Sequence, residues 1–299
     1  MAEAREIDGV PVMVLSSPAT GLEAAFAPGA CMVGCSLRIG GQEFLGVRGG
    51  LAKYAQTGST MGIPLLYPWA NRLDREIDSP LVRRDPNGLP IHGLLGGSRA
   101  WELTHTGGER LSARLDFGAN PELLALFPYP HVVEVDATLD GDALTVVTRV
   151  IPSGDEAVPI AFGWHPYLSL ADVPRASWLV TLPVRSRLVL DERLLPTGAV
   201  EPVEYAPREP LGERTFDDGY RDVGDGARFE LEGGGRRLTV ELVSGYPFAQ
   251  VYAPPGEDLI AFEPMTAPTN ALVSGDGLRR VEPGETFEAA FRIGVETVP

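Results

Sequence analysis

The sequence is poor in the residues that several chemistries depend on. Cys31 and Cys35 are its only cysteines. Two cysteines in a chain of this length make no disulfide framework. They also lack the second pair that a cysteine metal site needs, so they read as two small buried apolar residues. Lys53 is the only lysine. A Schiff-base mechanism would rest on it alone, and nothing around it suggests that role. No stretch approaches the ~18 consecutive apolar residues of a membrane-spanning helix. The N-terminal Met1-Ala-Glu-Ala-Arg-Glu-Ile-Asp8 is charged and has no apolar run of signal-peptide length. The expectation is a soluble, cytoplasmic protein. Cationic charge is also short. The formal net charge of −16 argues against nucleic acid or an anionic membrane as partner, because neutralising phosphates needs clustered Lys and Arg. Helical patterning is scarce as well: no segment keeps a helical period over three turns, and only 121–127 suggests a short helix.

What is present is strand signal. His131–Leu139 alternates, turns at Asp140-Gly141-Asp142 and continues as Ala143–Ile151, which reads as a hairpin around an Asp-Gly turn. Arg228–Glu232, three glycines and Arg237–Val243 read as another. Further strands are expected at 10–16, 22–26, 32–39, 109–117, 177–184, 248–252, 259–262 and 286–294. The 35 glycines and 27 prolines are spread through the chain and never gather into a linker. The expected fold is therefore all-β: one domain over residues 1–299, a large antiparallel β-sandwich with long loops and little helix.

Four short segments join one polar group each to rigid Pro, Gly or aromatic neighbours, as expected of a site built from loops on a stiff scaffold. They are 64–72 (Pro-Leu-Leu-Tyr-Pro-Trp-Ala-Asn-Arg), 91–93 (Ile-His-Gly), 163–167 (Gly-Trp-His-Pro-Tyr) and 262–271 (Phe-Glu-Pro-Met-Thr-Ala-Pro-Thr-Asn-Ala). Of the four histidines, His92 and His165 sit in these settings and suit proton transfer near neutral pH. His105 and His131 border ordinary strands and read as structural. Glu263 ends an apolar run. Burial at the end of a strand would raise its pKa and suit it to general-base work, and pairing with Arg72 or another Arg is the structural alternative. Arg72 offers a fork of donors to sugar hydroxyls or to a carboxylate, or a surface ion pair. Tyr67, Trp69, Trp164 and Tyr167 are sugar-stacking surfaces or core aromatics. Asp217 and Asp218, in Thr-Phe-Asp-Asp-Gly-Tyr, can accept hydrogen bonds from hydroxyls or close an Asx-turn.

In type and order these segments resemble the signature segments of the aldose 1-epimerase (mutarotase) family, and the likeness covers nearly the whole chain. The resemblance implies an antiparallel β-supersandwich and interconversion of the α and β anomers of a free aldose. Carried over residue by residue, it makes Glu263 the base that takes the anomeric hydroxyl proton and His165 the acid that protonates the ring oxygen. His92 and Arg72 stabilise developing charge, and Asn71, Asp217, Trp164 and Tyr167 contact the sugar. Asp218 competes with Asp217 for that role. The implied partner is a small sugar, with no cofactor and no metal, since the net change is proton transfer and bond rotation. The 64–72 segment is more like divergent branches, which include hexose-6-phosphate epimerases. Arg75, Arg83, Arg84 and Arg99 lie near the key segments, where they serve a sugar phosphate or balance the acidic surface. The expectation is an unphosphorylated aldose. Competing readings are a non-catalytic carbohydrate-binding protein, a zinc hydrolase using His92, His165 and Glu263, and an accessory protein that keeps the fold for protein contacts.

Overall fold

A computed structural model describes residues 1–298, and its regular structure is almost entirely antiparallel sheet. Glu3–Ile7, Val10–Ser16, Leu22–Ala27, Val33–Ile39 and Gln42–Glu43 form a five-stranded meander. A nine-stranded sheet runs Glu209–Pro210, Leu179–Thr181, Ala227–Gly233, Arg236–Ser244, Phe287–Thr297, Ala143–Pro152, His131–Asp140, Arg110–Asp116 and Glu102–Thr106. An eight-stranded sheet runs through Phe216–Arg221, Phe248–Ala253, Ile260–Met265 and Gly163–Trp164 to Leu65–Leu66 at its edge.

Period-2 patterning builds these sheets. From His131 to Leu139 the strand His131–Asp140 alternates strictly between buried and half-buried residues, so one face of the strand meets the core. Both expected hairpins form, with tighter turns than the sequence suggested. Asp140 pairs with Ala143, so the turn residues are Gly141-Asp142, and Gly141 has φ +61°. That is the type II′ geometry, in which glycine takes the first central position. Gly233 pairs with Arg236, and Gly234-Gly235, both at positive φ, make the second turn. Other expectations need correction. Residues 177–184 give only a three-residue strand, Leu179–Thr181, after a turn of 3-10 helix at Arg175–Ser177. A helix at Leu51–Thr57 was not foreseen. Its seven residues are too few to show a period, and it places Leu51 and Tyr54 against Val12, Val14 and Cys35 of the meander. The helix expected at 121–127 is confined to Pro121–Leu124.

The eight-stranded and nine-stranded sheets face each other across an aromatic core. Phe262 meets Phe229 at 5.5 Å between ring centroids, and Trp164 meets Phe291 at 5.7 Å. Neighbouring residues of a strand point to opposite faces. So while Phe262 and Trp164 enter the core, Glu263 and His165 emerge on the other side of the same sheet.

Candidate active site

Glu263 lies inside its strand, not at its end. Ile260–Met265 runs on through Pro264, and Glu263 is partnered in register with Gln250. On its other flank the ladder is interrupted. Gly163 pairs with Met265 and Tyr167 with Ala261, leaving Trp164-His165-Pro166 between the two pairs. The interruption sets His165 beside Glu263, with Nε2 3.1 Å from Glu263 Oε1 and both side chains buried. His165 is fixed from below by Tyr167, which stacks on it at 4.0 Å and 18°. The Tyr167 hydroxyl is held by Thr60 Oγ1 at 2.7 Å and receives a hydrogen bond from Arg48 Nη1 at 3.3 Å.

His92 and Asn71 are brought in by a strained crossing of two loops. Both residues occupy the left-handed region, at φ +65° and +58°. Non-glycine residues hold that conformation only where the surroundings over-determine it, and such positions gather at functional sites. Here the determinants are visible. The His92 amide donates to Asn71 O at 3.0 Å, and the Leu94 amide donates to Tyr67 O at 2.7 Å. Between them Gly93 has φ +73°, and a Cβ there would lie 2.1 Å from Tyr67 O. Only glycine fits, which is the physical content of the His-Gly pair. The His92 ring stands edge-on to that of His165, 5.6 Å away.

Arg72 is committed to two carboxylates, neither of them Glu263. Its Nε–H donates to Asp85 Oδ2 at 2.8 Å and its Nη2 to Asp217 Oδ2 at 3.2 Å. Asn71 Oδ1 accepts from Arg72 Nη1 at 3.1 Å. The Glu263–arginine pairing considered as a structural alternative is thus replaced by Glu263–His165. Asp217 also receives Gln250 Nε2–H at 2.7 Å. Asp218, one residue on, points to the other face and meets Arg187 at 3.4 Å. Asp217 is therefore the cavity-facing member of the pair.

These groups line a cavity of about 690 Å³ that includes Asn71, Arg72, His92, His165, Tyr167, Asp217 and Glu263. Seven of the eight expected site residues meet there. The eighth, Trp164, does not. It is fully buried on the core face and donates its indole N–H to Thr148 Oγ1 at 3.0 Å, because strand alternation sends it opposite to His165. Tyr67 and Trp69 are core residues too. Tyr252 supplies an aromatic wall instead, edge-on to His165 at 5.8 Å. Sequence reasoning missed Tyr252, Arg48, Thr60, Asp85 and Gln250. Asp85 sits in Asp-Pro-Asn-Gly, which reads as a turn; it is one, with Asp85 Oδ1 accepting the Asn87 and Leu89 amides, and its other oxygen anchors Arg72.

The electrostatics oppose charge on the central pair. Burial, reinforced by the charge of Asp217, raises the Glu263 pKa well above the usual carboxylate range. Burial, reinforced by His92 and Arg48, lowers that of His165 well below the ordinary imidazole value. Each shift disfavours the charged form of its group, and at 3.1 Å the two titrations are coupled. His92, buried near Arg83 and Arg72, is pushed down to about 3 and is neutral at physiological pH. Glu263 Oε2 is buried and has no hydrogen-bond partner among the described residues. No group of three or more His, Cys, Asp or Glu side chains among the described residues is placed to hold a metal ion. Cys31 and Cys35 are free and buried, their thiols pushed up to about 12 by desolvation.

The family model for aldose 1-epimerase matches residues 19–294, and the chain belongs to that family. It is 27% identical over 252 residues, 77% of each chain, to the uncharacterised protein YihR of Escherichia coli K12. Its fold is that of a galactose mutarotase-like protein from Clostridium acetobutylicum, with a TM-score of 0.83 at 17% identity over 100% of this chain and 99% of the other. It is likewise similar to galactose 1-epimerase from Lactobacillus acidophilus, with a TM-score of 0.76 at 16% identity over 100% and 98%. The mostly-β, galactose mutarotase-like fold expected from the sequence is the fold observed. No helix among the described residues is long and apolar enough to cross a membrane.

Proposed function

We propose that the protein is an isomerase that interconverts the α and β anomers of an aldose by general acid–base ring opening. The observation that carries this reading is the Glu263–His165 pair: a carboxyl and an imidazole, both buried and 3.1 Å apart, beside a cavity lined by Arg72, Asn71, Asp217 and His92. The hydroxyl oxygen and the ring oxygen of an aldose are bonded to the same anomeric carbon. A base for one and an acid for the other must therefore lie close together.

The reaction begins with ionised Glu263 accepting the proton of the anomeric hydroxyl. His165 gives its Nε2 proton to the ring oxygen. The bond between the anomeric carbon and the ring oxygen breaks as the carbonyl forms. The aldehyde rotates about its bond to the next carbon, and the steps reverse on the opposite face. Atoms and protons balance, and no cofactor enters. Ring opening takes the pair from carboxylate and imidazolium to neutral acid and neutral imidazole. Burial favours that neutral state, so the site relieves an electrostatic cost as the ring opens. Neutral His92 and the fixed Arg72 donate to sugar oxygens as charge develops. Arg72 is held in place for this by Asp85 and Asp217.

A binding protein would need hydroxyl contacts but no carboxyl–imidazole pair with a free carboxylate oxygen. The test is polarimetry on freshly dissolved α-D-glucose and α-D-galactose. Acceleration over the buffer rate is expected. Tight sugar binding without acceleration would overturn the enzymatic reading.

A further inference from the structure

His165 lacks the support that usually orients a reactive histidine. Its Nδ1 is buried and has no hydrogen-bond partner on another described residue. A bond from one ring nitrogen to a carbonyl or carboxylate ordinarily fixes the tautomer and the direction of the other nitrogen. Here packing must fix the ring. Tyr167 stacks on the imidazole at 4.0 Å and 18°, and His92 and Tyr252 meet it edge-on at 5.6 and 5.8 Å. Tyr167 is in turn anchored, at backbone and hydroxyl alike, by the two segments that flank the helix at Leu51–Thr57. Its amide donates to Gly62 O at 2.8 Å, and its carbonyl accepts from the Gly46 amide at 2.9 Å. Its hydroxyl accepts from Arg48 Nη1 at 3.3 Å and is joined to Thr60 Oγ1 at 2.7 Å. Arg48 Cζ lies 5.4 Å from the centroid of the Tyr167 ring, and Arg48 Nη2 is held by Glu257 at 2.8 Å. A tyrosine tethered at its far end cannot slide across the ring it covers.

We propose that Arg48, Thr60 and Tyr167 form a brace that positions His165 for proton transfer, with Arg48 and Thr60 acting through the Tyr167 hydroxyl. The inference rests on the anomer-exchange reading of the site and adds two positioning residues to it. The stack holds the imidazole plane, so that Nε2 stays directed at Glu263 and at the sugar oxygen it serves. Arg48 has a second effect through its charge. The titratable groups facing the imidazole are Glu263, His92, Tyr167 and Tyr252, and of these Glu263 alone carries a carboxyl. Burial, His92, Arg48 and Arg83 all oppose protonation of His165. Removing the Arg48 charge therefore makes the Glu263–His165 pair easier to protonate and moves its pH–rate profile to higher pH.

The experiment measures kcat, KM and the pH–rate profile with glucose and galactose in wild type, Thr60→Val, Arg48→Gln and Arg48→Lys. Thr60→Val keeps the side-chain shape and removes the tether. It should lower kcat about tenfold and leave KM within about twofold, as expected when a proton donor is displaced by a fraction of an ångström. A residue that only touched the sugar would raise KM instead. Arg48→Gln should lower kcat to a similar degree and move the profile to higher pH, and Arg48→Lys should restore the position of the profile. The ring signal of His165 in the proton NMR spectrum reports the stack without any sugar. It is assigned among the four histidines by its loss in His165→Asn. The Tyr167 ring current shields it, so it should move downfield in Thr60→Val and in Arg48→Gln; Thr60→Val alone keeps the test open if Arg48→Gln does not fold. An unmoved signal, or a loss carried by KM alone, overturns the brace and leaves the anomer reading standing. If the wild type accelerates neither sugar, the anomer reading falls. The ring signal then decides the brace: displacement in Thr60→Val supports it, and an unmoved signal overturns it.

Discussion

Replacing Glu263 by Gln separates a catalytic carboxyl from a structural one, because the two roles predict opposite stability results. Burial favours the neutral form of Glu263, whose Oε1 lies 3.1 Å from His165 Nε2. Glutamine has the same length and keeps a donor there. The exchange is neutral for neutral, so unfolding free energy should change by less than about 1 kcal/mol. Had Glu263 been an ionised partner of Arg72, breaking a buried pair would cost about 3–5 kcal/mol. Catalysis should respond differently. The amide cannot take up the anomeric proton, and losing a positioned base costs at least about a hundredfold, or about 2.7 kcal/mol in the barrier. Polarimetry on a pure anomer gives the rate, and urea unfolding gives the stability. A variant within about threefold of the wild-type rate would remove Glu263 from the mechanism. A variant that lost activity and more than about 3 kcal/mol of stability together would make it structural. His165→Asn should show the same loss of rate.

Stability should also fall with acid in a way traceable to His131. This ring is buried, its Nδ1–H donating to Tyr129 O while Nε2 accepts from the Tyr67 hydroxyl, and burial pushes its pKa down to about 4. The unfolded chain takes up that proton near pH 6.5, so stability is full above this and declines as pH falls toward about 4, by about 3 kcal/mol in all. Urea midpoints at pH 7.5 and 5 should differ less in His131→Gln than in wild type; equal differences would refute the assignment. Gly93→Ala should destabilise by more than the roughly 1–3 kcal/mol that a left-handed side chain costs, since its Cβ would also meet Tyr67 O, and it should lower the rate by unseating His92. A change under about 0.5 kcal/mol in urea unfolding would refute that account.

The fold class and the polar centre of the site were legible in sequence for different reasons. Strands such as His131–Asp140 declare themselves through alternation, which is local. His92, Asn71 and Glu263 declare themselves through neighbours with restricted backbones, which is also local. What could not be read is whatever depends on register. Trp164 adjoins His165 in sequence, and its placement in the core follows from the face that the ladder gives His165. Gln250 reaches Asp217 only because it stands opposite both Glu263 and Gly219 in the paired strands. Tyr252 becomes a wall of the cavity by the same pairing, opposite Asp217. Arg48 and Thr60 come from the segments flanking the short helix at Leu51–Thr57, itself too brief to announce its own period.

The site also shows how a sheet can hold reactive groups more rigidly than its loops could. Glu263 is fixed by a strand whose six residues are all buried, and His165 by a break in the ladder whose two sides are both paired. In the proposed reaction the strained residues, Asn71 and His92, contact the sugar and leave the central proton transfer to the sheet; the two are joined by the backbone hydrogen bond from His92 to Asn71 O. The division is physically consistent. Proton transfer tolerates little displacement of the acid and base, here 3.1 Å apart, whereas hydroxyl contacts tolerate more. If that division holds, substitutions in the loops that carry Arg83 and Asp85 should alter which sugar is accepted before they alter the proton-transfer pair. In such a scaffold substrate choice changes in the loops, while Glu263 and His165 stay fixed in the sheet.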